Sequence, residues 1–228
     1  MAKDKKRIDR RKLKQPDEFI TWTARVWRYT QTHRKRVASV AGAVLLLVIL
    51  ISAYWIYRER RETRAALLAS EALAGFAEDP TQPALFERIL RDYPGTKGAR
   101  LAQLYLGHVL YRKGEADRAA KVYGAVTEDS SAPESIRSQA ILGQGYSLVI
   151  LKRCEEAESA FGRVPASSSL AKQEAFLAVG RCYEHKGDRG AAVRRYQEFA
   201  RRFPRSPFLT QALRSRINSL KGSAAPDG

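Results

Sequence analysis

The chain holds little of what chemistry usually requires. Its 228 residues include two cysteines and three histidines. Cys154 and Cys182 stand far apart, in no CxxC pair, and with so few histidines they cannot complete the four ligands of a zinc site. There is no GxGxxG, no phosphate-cradling P-loop, no HExxH and no GxSxG. Acidic side chains are scattered along helical faces at the spacing of surface ion pairs rather than gathered. The sequence therefore predicts no catalytic residue, no metal site and no cofactor, and the chain is expected not to be an enzyme. Runs of β-branched residues are few and hairpin signals are absent, which argues against a sheet. Charge of one sign is scarce too: 24 acidic residues face 41 basic ones, for a net charge of +17.

What is present is one long apolar run, Val37 to Tyr57, with neither a charge nor a proline. As a helix it is about 31 Å long, the thickness of a bilayer's hydrocarbon core. His33-Arg34-Lys35-Arg36 precede it and Arg58-Glu59-Arg60-Arg61 follow. Tyr54, Trp55 and Tyr57 form an aromatic belt at its far end. A cleaved signal peptide would have a shorter apolar run and a small-x-small site; here 36 residues come first and arginines follow directly. Residues 37–57 are thus expected to be a transmembrane helix. Residues 1–36 hold 13 Lys and Arg, against Arg58, Arg60, Arg61 and Arg64 just beyond the run. Within the 20 residues nearest the run the count is five against four, so the more distant cluster decides. The positive-inside rule then puts the N-terminus in the cytoplasm and, in a bacterium, the rest in the periplasm.

The basic tip, residues 1–14, is too polar to fold alone and is expected to touch anionic lipid rather than nucleic acid, having no aromatic residue for base stacking. Between Asp17 and Thr30, Phe19, Trp22, Val26 and Tyr29 share one helical face. This reads as a juxtamembrane amphipathic helix, lying in the interface or packed on a partner. Ala38 and Gly42 make a small-xxx-small pair, so oligomerisation stays open.

Past Arg64 the chain is rich in Ala, Leu, Arg and Glu at helical spacing, and it repeats. Gly107, Gly145 and Gly180 are each followed twelve residues later by an alanine, Ala119, Ala157 and Ala192. Sixteen residues after each glycine comes a ring: Tyr123, Phe161 or Tyr196. The glycine is expected to let paired helices approach, the alanine to sit opposite it, and the ring to fill the gap to the next pair. Lys113-Gly114-Glu115, Lys152-Arg153 and Lys186-Gly187-Asp188 supply the turns, and Pro204 ends the last unit. These residues resemble the tetratricopeptide repeat. The resemblance implies an all-α helical solenoid attached to the single N-terminal span. It would comprise a helix and degenerate first repeat over 58–97, three repeats over 98–206, a capping helix over 207–222 and a disordered tail over 223–228. In the degenerate unit Phe86 and Tyr93-Pro94 match late positions, while Ser70 and Gln82 stand at the Gly and Ala positions.

A basic tip, one span and an exported repeat domain together resemble the YfgM-like ancillary subunits of the bacterial SecYEG translocon. Asp17-Glu18-Phe19 and the linker Asp92 to Gly98 are similar to that family as well. The resemblance implies an inner-membrane protein whose partners are the translocon, chaperones or emerging secretory chains. The alternative is a scaffold for envelope assembly or cell division. On first helices, His108, Tyr111, Arg112, Tyr146, Arg181, Glu184 and His185 are candidates for a peptide-contacting concave surface; a solvated face without a ligand is the other reading. A carboxylate clamp would need Lys and Asn where Leu104 and His108 stand. In repeat terms Cys154 falls at the turn of the second unit and Cys182 on the neighbouring first helix of the third. They could be bridged in an oxidising compartment, contributing on the order of 3 kcal/mol, or be two buried thiols.

Overall fold

The computed structural model describes residues 26–27, 29–165 and 169–222. The basic tip, most of the expected amphipathic helix and the tail 223–228 lie outside the described residues. Of that helix, Val26, Trp27, Tyr29 and Thr30 are described; the first three are exposed and Thr30 is half-buried. The described residues are helical, with no strand among them. The chain divides into two compact units, residues 1–58 and 59–228.

Helix α1 (Arg34–Glu78) contributes to both units. Its portion in the first unit carries the apolar run. That run is long and apolar enough to cross a membrane, and none of its most apolar stretch is buried. Leu45, Leu47, Ile49, Trp55 and Tyr57 are each more than half exposed. The helix of a soluble core would bury such side chains, because each large apolar group kept in water forgoes roughly 1.5–3 kcal/mol.

Among the described residues, every buried hydrophobic one lies in the second unit, from Ala65 to Leu220. Its core is therefore self-contained. After the end of α1 come α2 (Ala84–Asp92), α3 (Lys97–Arg112), α4 (Ala116–Glu128), α5 (Glu134–Ile150), α6 (Cys154–Gly162), α7 (Ser169–Lys186), α8 (Arg189–Arg202) and α9 (Gln211–Gly222). From α2 onward each helix packs on the next, and α3 also packs on α5, and α5 on α7. That second set of contacts defines a solenoid: α3, α5 and α7 line one side as a layer of first helices, with α4, α6 and α8 behind them.

The turns repeat as faithfully as the packing. The amide of Gly114 donates to Tyr111 O and that of Glu115 to Leu110 O; Lys152 and Arg153 donate likewise to Val149 and Leu148, and Gly187 and Asp188 to Glu184 and Tyr183. This is the pairing that closes a helix C-terminus with a left-handed residue. Gly114 (φ 78°) and Gly187 (φ 89°) adopt that conformation freely, whereas the middle unit uses Lys152 (φ 56°). Thr96 Oγ1 accepts from Ala99 N at 3.1 Å to start α3, and Asp188 Oδ1 accepts from Ala191 N at 2.8 Å to start α8.

The repeated glycines act against rings. A Cβ on Gly107 would meet Tyr123 Cε1 at 2.5 Å, one on Gly145 would meet Phe161 Cε1 at 2.3 Å, and one on Gly180 would meet Tyr196 Cε1 at 2.4 Å. Each ring thus lies on the glycine of its own unit, which differs from a glycine facing an alanine. Ala119, Ala157 and Ala192 are fully buried beside these rings. Tyr123 also reaches the next unit, since a Cβ on Gly143 would stand 2.5 Å from its Cζ. In the first unit the assignment of Ser70 and Gln82 to the small positions is corrected: both are exposed. Ala69 and Ala72 are the small residues that join Phe86 and Ile89 in the core. A Cβ on Gly98 would strike Ala65 O at 2.6 Å, so here the close approach is to backbone.

Cys154, at the start of α6, and Cys182, within α7, form a disulfide with Cα atoms 5.6 Å apart. Both residues are fully buried.

Candidate protein-binding groove

The first helices α3, α5 and α7 present the candidate groove residues, and the structure divides them into two groups. The first is an aromatic row on the N-terminal side. The Tyr105 ring lies 5.2 Å from Phe76 and 5.3 Å from His108, and the His108 ring lies 5.5 Å from Tyr123. Tyr123 Oη and His108 Nδ1 are hydrogen-bonded at 2.6 Å. Burial, and then the positive charge of Arg112, hold His108 below its ordinary range, so the imidazole is neutral at neutral pH. Burial raises the Tyr123 hydroxyl, with a smaller push from Tyr111. Arg112 stacks over Phe76 at 5.6 Å. His108 therefore serves as a hydrogen-bonded wall rather than a free cation.

Tyr146, on α5, connects the groups. Its ring meets Phe161 edge-on at 5.3 Å. Burial, then the charge of Glu174, push its hydroxyl up to about 12, while Arg181 acts in the opposite direction.

The second group surrounds a cavity of about 440 Å3 between α7 and the last helix. Arg181, Glu184, His185 and Tyr196 line it together with Leu177, Phe208, Leu213 and Arg216. Glu184 is not a free acid: Tyr196 Oη donates to its Oε2 at 3.0 Å, and Arg216 Nε donates to Oε1 at 2.8 Å. Burial opposes its ionisation, but the bonds from Arg216 and Tyr196 prevail and hold it below the usual carboxylate range. Burial, followed by the Glu184 charge, raises the Tyr196 hydroxyl. Arg181 and His185 are exposed beside this network. Arg216 is exposed as well but is paired with Glu184.

Several lining residues escape a reading of the sequence. Tyr105 stands three before His108 and Leu177 four before Arg181, so the helical period could have found them. Phe208, Leu213 and Arg216 belong to a segment past Pro204, and no local spacing ties them to Glu184.

Residues 174–206 match the tetratricopeptide repeat family. They cover all but the first five residues of α7, all of α8 and Pro204, the unit in which Gly180, Ala192 and Tyr196 pack together. The tetratricopeptide repeat is a protein-interaction motif, so the groove belongs to an architecture that binds proteins. No curated protein and no solved structure matches the chain.

Proposed function

We propose that this is a single-pass inner-membrane protein that works by binding. Residues 1–36 form a basic cytoplasmic segment contacting anionic lipid, residues 37–57 the span, and residues 58–222 a periplasmic repeat array with its cap. The array acts as an ancillary factor of the Sec translocon or of the periplasmic chaperone network. One observation carries the reading: an unburied apolar helix leads directly into a helical repeat unit stapled by a disulfide. The disulfide supports an oxidising compartment for residues beyond Arg58. Tethering raises the local concentration of the array near chains leaving the membrane, so that weak contacts suffice. Tyr105, Tyr111 and Tyr146 offer apolar faces to an extended segment, and Arg181 with His185 offers polar contacts at the far end.

In-cell photo-crosslinking from positions 111 and 146 tests this. Recovery of translocon subunits, chaperones or secretory precursors is the expected result. Recovery of division or cell-wall proteins alone would move the chain to an envelope scaffold, and no adduct from either position would remove the groove. Carbonate extraction, together with protease added to spheroplasts, checks the span and its orientation. The protein is expected to stay with the membrane and to be cut beyond Arg58.

A further inference from the structure

The positive charge of the repeat unit is concentrated at one end. Residues 58–185 hold 18 Lys and Arg against 17 Asp and Glu, whereas residues 186–221 hold ten against Asp188 and Glu198. Some of these ten are satisfied internally. Lys186 pairs with Glu155, Arg195 with Glu158 and Glu198, and Arg216 with Glu184. Arg202 lies over the rings of Phe176 and Phe203. Arg194, Arg201, Arg205, Arg214 and Lys221 are exposed and form no ion pair among the described residues. Arg194 and Arg201 are two turns apart on α8, on the side opposite its buried residues Ala192, Tyr196 and Phe199. Arg214 and Lys221 repeat that spacing on α9, three before and four after the buried Ile217, so they flank its buried side and are exposed at its margin. Like charges gathered without counter-charge repel one another, and an external anion relieves them.

We propose that this terminal pair of helices docks on the anionic phospholipid surface of the bilayer that anchors the chain. Features of the face favour lipid over an acidic polypeptide or a nucleic acid. The cations are exposed on α8, in the turn after it and at the margin of the buried side of α9, and no groove lies between them, so nothing selects the shape of a chain. The rings of this stretch, Tyr196, Phe199, Phe203 and Phe208, are buried or half-buried, which leaves none exposed for stacking on bases. Headgroup phosphates, by contrast, are spread in a plane and are recognised by charge density alone. The proposal rests on the anchored reading only for its proximity, since a tethered face meets the headgroups at high effective concentration.

The test uses oxidised residues 59–228, which hold the complete hydrophobic core but neither the span nor the basic tip. Sedimentation is measured with vesicles of phosphatidylcholine alone and with vesicles containing roughly one-third phosphatidylglycerol. The protein is expected to pellet with the anionic vesicles and not with the neutral ones, and to be released in high salt. Each Lys or Arg near the surface contributes about fivefold to partitioning, so Arg194→Gln/Arg201→Gln/Arg214→Gln together should lower it about a hundredfold. The single variant Arg201→Gln, read alongside a circular dichroism spectrum, should lower it about fivefold and guards against a misfolded triple variant. Equal pelleting with both vesicles, no pelleting with either, or unchanged binding by the variants would overturn the proposal. So would binding confined to an acidic protein or a nucleic acid. Because this fragment lacks residues 37–57, the outcome is independent of whether that segment crosses a membrane, which extraction of the full chain decides.

Discussion

Replacing Gly180 by alanine gives the sharpest test of how the array is held together. The new Cβ would stand 2.4 Å from Tyr196 Cε1, 2.7 Å from Cδ1 and 3.1 Å from Cζ. Carbon atoms rest at about 3.5–4.0 Å, so ring or helix must give way by about 1 Å. The ring has little freedom, being 3% exposed with its hydroxyl bonded to Glu184 at 3.0 Å. Overpacking of this kind costs about 1–3 kcal/mol, and the short distance places it in the upper half. Against this, alanine is favoured over glycine inside a helix by about 0.8–1.0 kcal/mol. The net expectation is a loss of about 1–2 kcal/mol. Gly75, in the portion of α1 belonging to the repeat unit, has nothing within 4 Å of such a Cβ. Gly75→Ala should therefore stabilise by up to about 1 kcal/mol. The same chemical change is thus expected to act with opposite signs at the two positions. Urea unfolding of oxidised residues 59–228, followed by far-ultraviolet circular dichroism, reads both. In thermal melts each kcal/mol corresponds to about 2–4 °C for a domain of this size. Combining Gly180→Ala with Tyr196→Leu should give less than the sum of the two losses, because the clash disappears with the ring. A Gly180→Ala protein that melts at or above the parent temperature would refute the view that ring-on-glycine contacts set the helix spacing.

Cys154→Ser/Cys182→Ser should lower stability by about 3–4 kcal/mol in the same assay, from the entropy of closing the intervening loop; a midpoint equal to that of the oxidised parent would contradict this. His108 has a folded pKa below its ordinary 6.5, so the unfolded chain takes up the proton first. Stability is expected to be full above pH 6.5 and to decline as pH falls toward the folded value, with a His108 NMR titration midpoint below 6.5; a midpoint above it would sink the account of a neutral, buried imidazole. Lys152→Gly should stabilise by about 0.5–1 kcal/mol, since a side chain at φ 56° is strained by more than glycine adds to the entropy of the unfolded chain, and a lowered urea midpoint would contradict it.

How much could be read without coordinates follows from the range of each interaction. The all-helical solenoid was legible because its determinants are local: a glycine, a ring sixteen residues on, and a turn between them. The detail of that contact was less so, for spacing alone does not say whether a ring covers a glycine or fills the gap beyond it. Tyr123 does both, through Gly107 and Gly143. The first unit misled because its small positions are filled by Ala69, Ala72 and the Gly98–Ala65 approach, with no glycine at the expected place. In the groove, helical periodicity could put Glu184 on the inner face. It could not foresee that Tyr196 and Arg216 would occupy both carboxylate oxygens, because Arg216 arrives from a helix beyond a proline-bounded turn. The turn at Lys152-Arg153 was legible, but not that Lys152 takes the left-handed conformation held elsewhere by Gly114 and Gly187, because that is set by its position and not by its residue type.

The covalent link between α6 and α7 has a mechanical corollary. An extended chain spans about 3.3–3.6 Å per residue, so the 28-residue separation of the two sulfur-bearing residues represents roughly 95 Å of slack. If a cargo pulls on this array while its other end is held fixed, that slack is never paid out. The load passes through the sulfur–sulfur bond, and the stretch behind it stays coiled while the helices ahead of it unravel.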